Sequence, residues 1–146
     1  MLNIGSNSTT TNTKTKTLFG CAIHPRWFGN EVNNTDSIID IPKSSQYLTN
    51  IKENFNSIVI EHHMKWGPIL SNNTESETLG LYDFTQCDII VDWAISNNIV
   101  IKGHVLIWHV TSPYWLKDLE PMELKIELKR HIFIMMQHYK GKIKYW

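Results

Sequence analysis

The 146-residue chain has few cysteines, no excess of charge and no long apolar run, and each absence removes a class of protein. Cys21 and Cys87 are too few for a disulfide-stapled fold, and their apolar neighbours favour buried free thiols. Fourteen basic residues balance fourteen acidic ones, which argues against a nucleic-acid partner because phosphate binding needs excess cations. No window approaches the roughly 18 apolar residues of a membrane span, so no membrane partner is expected.

The N-terminus differs in composition from the rest of the chain. Residues 1–17 form a Ser/Thr/Asn/Lys tract without the apolar centre of a secretory signal, which predicts a disordered polar tail. Residues 18–146 are enough for one domain. A complete (β/α)8 barrel needs about 250 residues, so a whole barrel is excluded.

Short apolar runs and helical patterns alternate three times after this tail. The helices are predicted from Ser44 or Ser45 to near Asn54, from about Phe84 to Asn97, and over residues 121–139. Strands are predicted at residues 18–23, 55–60 and 99–108, with the entry into a fourth at 141–146. This alternation predicts an α/β fold with a parallel sheet.

Two α/β architectures fit this alternation. A doubly wound sheet normally has a Gly-rich phosphate turn after its first strand, and Gly20-Cys-Ala-Ile-His24 has none. A barrel of βα units places its functional residues directly after each strand. Polar and aromatic side chains do follow the predicted strands here: Glu61, Lys65, Trp66, His104, Trp108 and His109.

The sequence offers no familiar cofactor or metal motif. It has no His-Glu-x-x-His, Walker, Gly-x-Ser-x-Gly or Cys-x-x-Cys string. The histidine pairs either point to opposite faces of a predicted strand or share a helix face with apolar residues: His62 with His63, His104 with His109, and His131 with His138. A metal-dependent barrel hydrolase would need a first-strand His-x-His, which His24-Pro-Arg26 does not supply. We therefore expect neither a metal nor a cofactor.

Carbohydrate binding suits the residues at the strand ends better. A sugar site combines hydrogen-bonding groups with aromatic rings that stack on the sugar, and Glu61, Lys65, His104 and Trp108 provide both. Each residue also has a structural alternative. Glu61 and Lys65 could form an ion pair four residues apart, and His104 could be a buried core histidine.

Several longer strings then point to one family. They are Glu61-His-His-Met-Lys-Trp66, Gly103-His-Val-Leu-Ile-Trp-His109, Pro113-x-Trp115, and Tyr139-Lys-Gly-Lys-Ile143 followed by Trp146. In this order and spacing, residues 18–146 resemble the N-terminal half of glycoside hydrolase family 10, the endo-β-1,4-xylanases. The resemblance implies an incomplete (β/α)8 barrel of about three βα units plus the start of the fourth strand. It also implies retaining hydrolysis of xylan, which uses two carboxyl groups about 5–5.5 Å apart.

The resemblance places the catalytic carboxylates outside this chain. In the family the acid/base is the Glu of a stretch whose first residue matches Trp146, and the nucleophile lies on a later strand. We therefore expect no catalytic residue up to Trp146 and no activity of the 146 residues alone. The implied partners are xylan or xylo-oligosaccharide and the remaining half of the barrel. The resemblance also implies secretion, although no signal peptide is seen.

The resemblance does carry over sugar-binding residues on the non-reducing side of the cleaved bond. Glu61 and Lys65 match residues that hydrogen-bond the sugar, His104 matches one near the reacting sugar, and Trp108 matches an aromatic wall. His109 matches a histidine with a supporting role. Two positions depart from the family, which usually has Asn in place of His62 and Gln in place of Thr111.

Two readings of function follow. The first is a fragment of an endo-1,4-β-xylanase that carries sugar-binding residues without the catalytic glutamates. The alternative is a non-catalytic carbohydrate-binding or interaction module derived from a xylanase barrel. Binding of xylo-oligosaccharide by a folded chain would favour the module, whereas an aggregated or molten chain would favour the fragment.

Overall fold

Three short parallel strands form one sheet in the computed structural model, which describes residues 17–28, 41–70 and 81–146. The strands are β1 (Gly20–Ile23), β2 (Ser57–Ile60) and β3 (Val100–Lys102), and their order in the sheet is their order in the chain. Ile23 lies opposite Ile60 in the parallel register. The predicted α/β class and parallel pairing are confirmed.

Helices connect the strands and follow the last of them. Their bounds are Ile41–Asn54 (α1), Trp66–Ile69 (α2), Thr85–Ser96 (α3) and Pro121–His138 (α4), with 3-10 turns at Pro25–Phe28 and Tyr114–Asp118. The helix predicted from Ser44 or Ser45 begins earlier, at Ile41, and α2 was not predicted. Among the described residues, no helix is both long and apolar enough to cross a membrane.

The third strand is shorter than its apolar sequence predicts. It ends at Lys102 instead of continuing to Trp108. Gly103 N donates a hydrogen bond to the Tyr145 carbonyl (2.8 Å), and Tyr145 forms a single parallel bridge with Lys102. The predicted fourth strand is therefore present as this bridge. The apolar residues beyond Gly103 lie in a loop. One of them, Leu106, packs against the core from outside the sheet.

The predicted tail, residues 1–17, lies outside the described residues except for Thr17. The Thr17 carbonyl accepts a hydrogen bond from Asn56 Nδ2 (2.9 Å), and Phe19 N donates to Asn56 Oδ1 (2.7 Å). The Asn56 side chain thus fixes the segment that leads into β1.

The core lies between the sheet and the helices that cover it. Its fully buried members include side chains from the strands, from α2 and the turn before it, and from α3 and α4: Ile23, Ile58, Ile60, Met64, Ile69, Ile90, Val91, Ala94 and Met135. Both cysteines are free thiols as predicted, but only Cys87 is buried, while Cys21 is half-buried. Each fully buried aliphatic side chain contributes about 1.5–3 kcal/mol of transfer free energy.

A buried histidine joins the loop after β3 to α4. His131 is fully buried, and its ring stacks on Trp66 with a centroid distance of 4.1 Å. The carbonyl of Leu106 only accepts, so His131 Nε2 donates to it (2.8 Å), and Tyr82 Oη donates to Nδ1 (2.8 Å). Burial lowers the pKa of His131 to about 4. We call this Tyr82–His131–Leu106 arrangement the histidine bridge.

A second contact ties the same loop to α2. Gly67 N donates to the Thr111 carbonyl (2.8 Å), and a Cβ added at Gly67 would lie 2.6 Å from that oxygen. Because backbone must move, we expect Gly67→Ala to lower the free energy of unfolding by about 3 kcal/mol in urea denaturation, at the upper end of what overpacking costs. Gly141→Ala is the control, since its added carbon meets nothing within 4 Å and costs about 1 kcal/mol through its positive φ. Equal losses in both variants would contradict this packing argument.

Candidate functional site

The carboxyl ends of the three strands meet at one edge of the sheet. His24 follows β1, Glu61 follows β2, and His104 comes two residues after β3. Glu61 N donates to the Ile23 carbonyl (2.9 Å), which extends the sheet pairing by one residue and fixes where the Glu61 side chain begins. We call the segments at residues 24–28, 61–66 and 103–109 the carboxyl edge.

A tight turn after β2 carries most of the polar groups. His62 has a φ of 64°, in the left-handed region. His63 N donates to the Glu61 carbonyl (2.8 Å), and Lys65 N donates to the His62 carbonyl (3.0 Å). This turn places Glu61 and Lys65 within one short loop at the end of β2. The family that this chain resembles usually has Asn in place of His62, and Asn also tolerates the left-handed conformation.

Lys65 is held by an aromatic ring. Its ammonium lies 4.4 Å from the ring centroid of Trp108, which is a cation–π contact. Trp108 keeps 38% of its surface exposed, so part of the indole remains open to a ligand. The alternative ion pair between Glu61 and Lys65 is not formed, although both residues lie in the described part of the chain. Lys65 and Trp108, which come from different strand ends, therefore meet at the carboxyl edge.

His104 is exposed, which corrects the alternative of a buried core histidine. Partial desolvation lowers the pKa of His104, and the positive charges of Lys65 and Lys102 lower it further. Partial desolvation also lowers the pKa of His62, with His63 and Lys65 adding to the effect. The shared influence of Lys65 on both pKa values indicates that the two imidazoles lie near the same ammonium group.

His109 lies apart from this group. Its ring is 6.2 Å from that of Trp108, and it lines an apolar cleft of about 480 Å³. The cleft lining includes Val110 and Tyr114 but not Glu61 or Lys65. Of the six predicted site residues, the structure brings Glu61, His62, Lys65, His104 and Trp108 together and turns His109 toward the cleft.

Residues that the sequence did not assign to a site flank Glu61. The His24 and His63 rings make an edge contact at 4.9 Å, and Trp27 stacks on Tyr47 at 4.6 Å. Burial, with the charges of Cys21 and Glu61, raises the pKa of Tyr47. The position directly after β1 was a usable signal for His24 and Trp27. Nothing in the pattern of α1 marks Tyr47.

Trp66 is a packing residue, because it is 2% exposed and stacks on His131. The carboxyl edge contains one carboxylate, that of Glu61, together with an ammonium, several imidazoles and an open indole. Within the described ranges, no three His, Cys, Asp or Glu side chains are grouped to hold a metal ion. These groups can bind a hydroxyl-rich ligand, but the edge by itself lacks a pair of carboxylates.

Comparison with known proteins gives consistent results. Residues 12–146 match the profile of glycosyl hydrolase family 10. A β-1,4-xylanase of Dictyoglomus thermophilum is 37% identical over 100 residues, which are 68% of this chain and 27% of that protein. The anti-sigma-I factor RsgI6 of Acetivibrio thermocellus is 28% identical over 104 residues, 70% of this chain and 13% of that protein.

Solved structures show the same relationship. The crystal structure of xylanase 10B from Thermotoga petrophila in complex with xylobiose aligns with a TM-score of 0.65 and 28% identity. The alignment covers 86% of this chain and 34% of that one. The chain thus spans roughly a third or less of the relatives it matches, and its fold is an incomplete (β/α)8 barrel.

Proposed function

Because this chain belongs to glycosyl hydrolase family 10, we propose that it is the sugar-binding N-terminal part of an endo-1,4-β-xylanase. The whole enzyme would act on xylan by retaining hydrolysis. Within it, Glu61, Lys65, His104 and Trp108 bind the sugar on the non-reducing side of the cleaved bond. His62 assists them, and His109 has a supporting role.

The contact between Lys65 and Trp108 is the observation that carries this proposal. An ammonium held over an indole has lost much of its rotational freedom, so less entropy is lost when it donates to a sugar hydroxyl. Glu61 accepts hydrogen bonds at the neighbouring strand end, and the open part of Trp108 offers an apolar face to the sugar ring. Carboxylate, ammonium and indole together match the mixed surface of a pyranose.

The catalytic carboxylates are proposed to come from beyond the residues described here. Retaining hydrolysis needs a general acid/base and a nucleophile about 5–5.5 Å apart. Glu61 is the only carboxylate at the carboxyl edge, and its proposed role is to bind the sugar, so both catalytic carboxylates must come from elsewhere. The proposed role of this chain is therefore binding and orientation of the sugar.

Titration of the chain with xylotetraose tests the binding role. Lys65→Met keeps the length of the side chain but removes its charge, and we expect it to weaken affinity about 10- to 100-fold, as loss of a charged hydrogen bond does. Glu61→Ala is expected to have an effect of similar size. Isothermal titration calorimetry measures both. Lys125→Met, on the exposed surface of α4, is the matched control with unchanged affinity. Equal affinity of Lys65→Met and the unmodified chain would refute the proposal.

The second candidate is a non-catalytic carbohydrate-binding module. It is favoured by the similarity to a protein named as an anti-sigma factor and not as a hydrolase. In this case the sugar site is used for recognition alone. Both candidates require the same binding residues, so the xylotetraose titration supports either one. They are separated by measuring whether the protein in which the chain occurs hydrolyses xylan.

A further inference from the structure

The carboxyl edge has an unusual balance of charge for a chain with no net charge. Five of the seven histidines lie there, with Arg26 and Lys65, against the single carboxylate of Glu61. Lys102 ends β3 beside His104 and adds another positive charge. A neutral sugar needs donors and acceptors but gains little from such an excess of cations and imidazoles. The excess points to a ligand with negative charge.

The imidazoles form a connected group at the ends of β1 and β2. His63 lies between His24 and His62, with ring-centroid distances of 4.9 Å to the first and 5.5 Å to the second. His63 Nδ1 lies 3.2 Å from the Glu61 carbonyl, which only accepts, so Nδ1 holds the proton of the neutral ring. His63 Nε2 then becomes a donor only when the ring is protonated.

Neighbouring charges oppose protonation of His62 in the unliganded chain. The pKa of His62 is lowered by desolvation and by His63 and Lys65, and Glu61 opposes the shift only in part. The charged groups that act on His62 are His63, Lys65 and Glu61. The other charged or titratable groups at the three strand ends are His24 and Arg26 after β1, Tyr47 on α1, and Lys102 and His104 at the end of β3. An anion placed among these groups would relieve their mutual repulsion and favour the imidazolium forms.

We propose that the carboxyl edge prefers a xylo-oligosaccharide that carries a carboxylate, such as a uronic acid branch, and that His62 and His63 receive that carboxylate beside Lys65. This inference rests on the proposed function, because it assigns the substrate class of the same site. Since binding of the anion favours protonated imidazoles, the preference is stronger at acidic pH. The Lys65 ammonium accounts for a smaller preference at higher pH.

The test compares two xylo-oligosaccharides with the same backbone length, one unbranched and one with a single glucuronic acid branch. The chain is titrated with each by calorimetry at pH 5 and pH 8. Two exposed imidazolium contacts should together give the branched ligand about a tenfold advantage at pH 5, falling to about threefold or less at pH 8. Raising the salt concentration at pH 5 should reduce the advantage, because exposed charges are screened.

Two variants test whether His62 and His63 cause the preference for the branched ligand. The double change of His62→Asn and His63→Gln keeps hydrogen-bonding side chains but removes the titratable rings, and should reduce the advantage at pH 5 to its value at pH 8. Lys125→Gln removes a cation from α4 and should keep the full advantage. The inference is overturned if the unmodified chain binds both ligands equally at pH 5, or if the double variant keeps the tenfold ratio. Failure to bind the unbranched ligand would instead overturn the proposed function.

Discussion

The variant His131→Ala is expected to lose about 3–4 kcal/mol of unfolding free energy, the largest stability loss we predict for a single side chain. The change leaves a cavity beneath the Trp66 ring and removes both hydrogen bonds of the histidine bridge. The Leu106 carbonyl loses its donor in a part-buried position, and an unsatisfied buried acceptor costs about 1–3 kcal/mol in addition to the cavity. Urea denaturation followed by tryptophan fluorescence measures the loss.

The same residue predicts a dependence of stability on pH. Burial lowers the pKa of His131 to about 4 in the folded chain, against about 6.5 when unfolded. The unfolded state therefore binds more protons between these values, and stability falls as the pH is lowered from about 6.5 to 4. The shift corresponds to about 3 kcal/mol at most. In His131→Ala this contribution to acid sensitivity should disappear.

His138→Ala is the matched control on the same helix. His138 lies at the exposed end of α4, where its Nε2 is 2.8 Å from Asp88 Oδ1. A side-chain pair of this exposure contributes about 0–1 kcal/mol, so the control should lose far less stability. A loss in His138→Ala as large as in His131→Ala would show that α4 tolerates no change at all, and would remove the case for the histidine bridge.

The histidine bridge also links stability to the candidate site. Leu106 lies between His104 and Trp108, so the hydrogen bond to its carbonyl fixes the loop that carries both side chains. Trp108 in turn holds the Lys65 ammonium. A chain without the bridge should therefore bind xylotetraose more weakly even where it remains folded, since the Trp108 ring is no longer held over Lys65.

The limits of the sequence analysis are clear at this same loop. The apolar residues after Gly103 predicted a strand up to Trp108, because periodicity cannot distinguish side chains that pack in a sheet from those that pack in a loop. The actual end of β3 depends on two distant groups, the Tyr145 backbone and His131. Neither contact has a local signal. Helix ends with local signals, such as Pro121 at the start of α4, were predicted correctly.

The residues of the candidate site likewise divide into those that the sequence could predict and those that it could not. Glu61 directly follows one apolar run, and His104 and Trp108 lie within and at the end of the next, so all three could be assigned to the edge where parallel strands end. The partner of Lys65 could not be predicted. The sequence allows an ion pair with Glu61, four residues away, as readily as a contact with the indole of Trp108, 43 positions along the chain. The structure decides for Trp108, since the left-handed turn at His62 breaks the helical spacing that an i,i+4 pair needs.

The 146 residues alone are expected to hydrolyse xylan no faster than buffer does. Glycosidases accelerate this reaction by many orders of magnitude, and the acceleration depends on two carboxyl groups acting together. At the described carboxyl edge Glu61 has no such partner. The measurement is release of reducing sugar from xylan by the purified chain over days, with the Glu61→Gln variant purified in parallel as the control for a contaminating enzyme.

The result is informative in either direction. Equal background release by both proteins, together with tight xylotetraose binding, would show a site that recognises sugar without cleaving it. Release by the unmodified chain that Glu61→Gln abolishes would contradict the expectation and make Glu61 one of a catalytic pair.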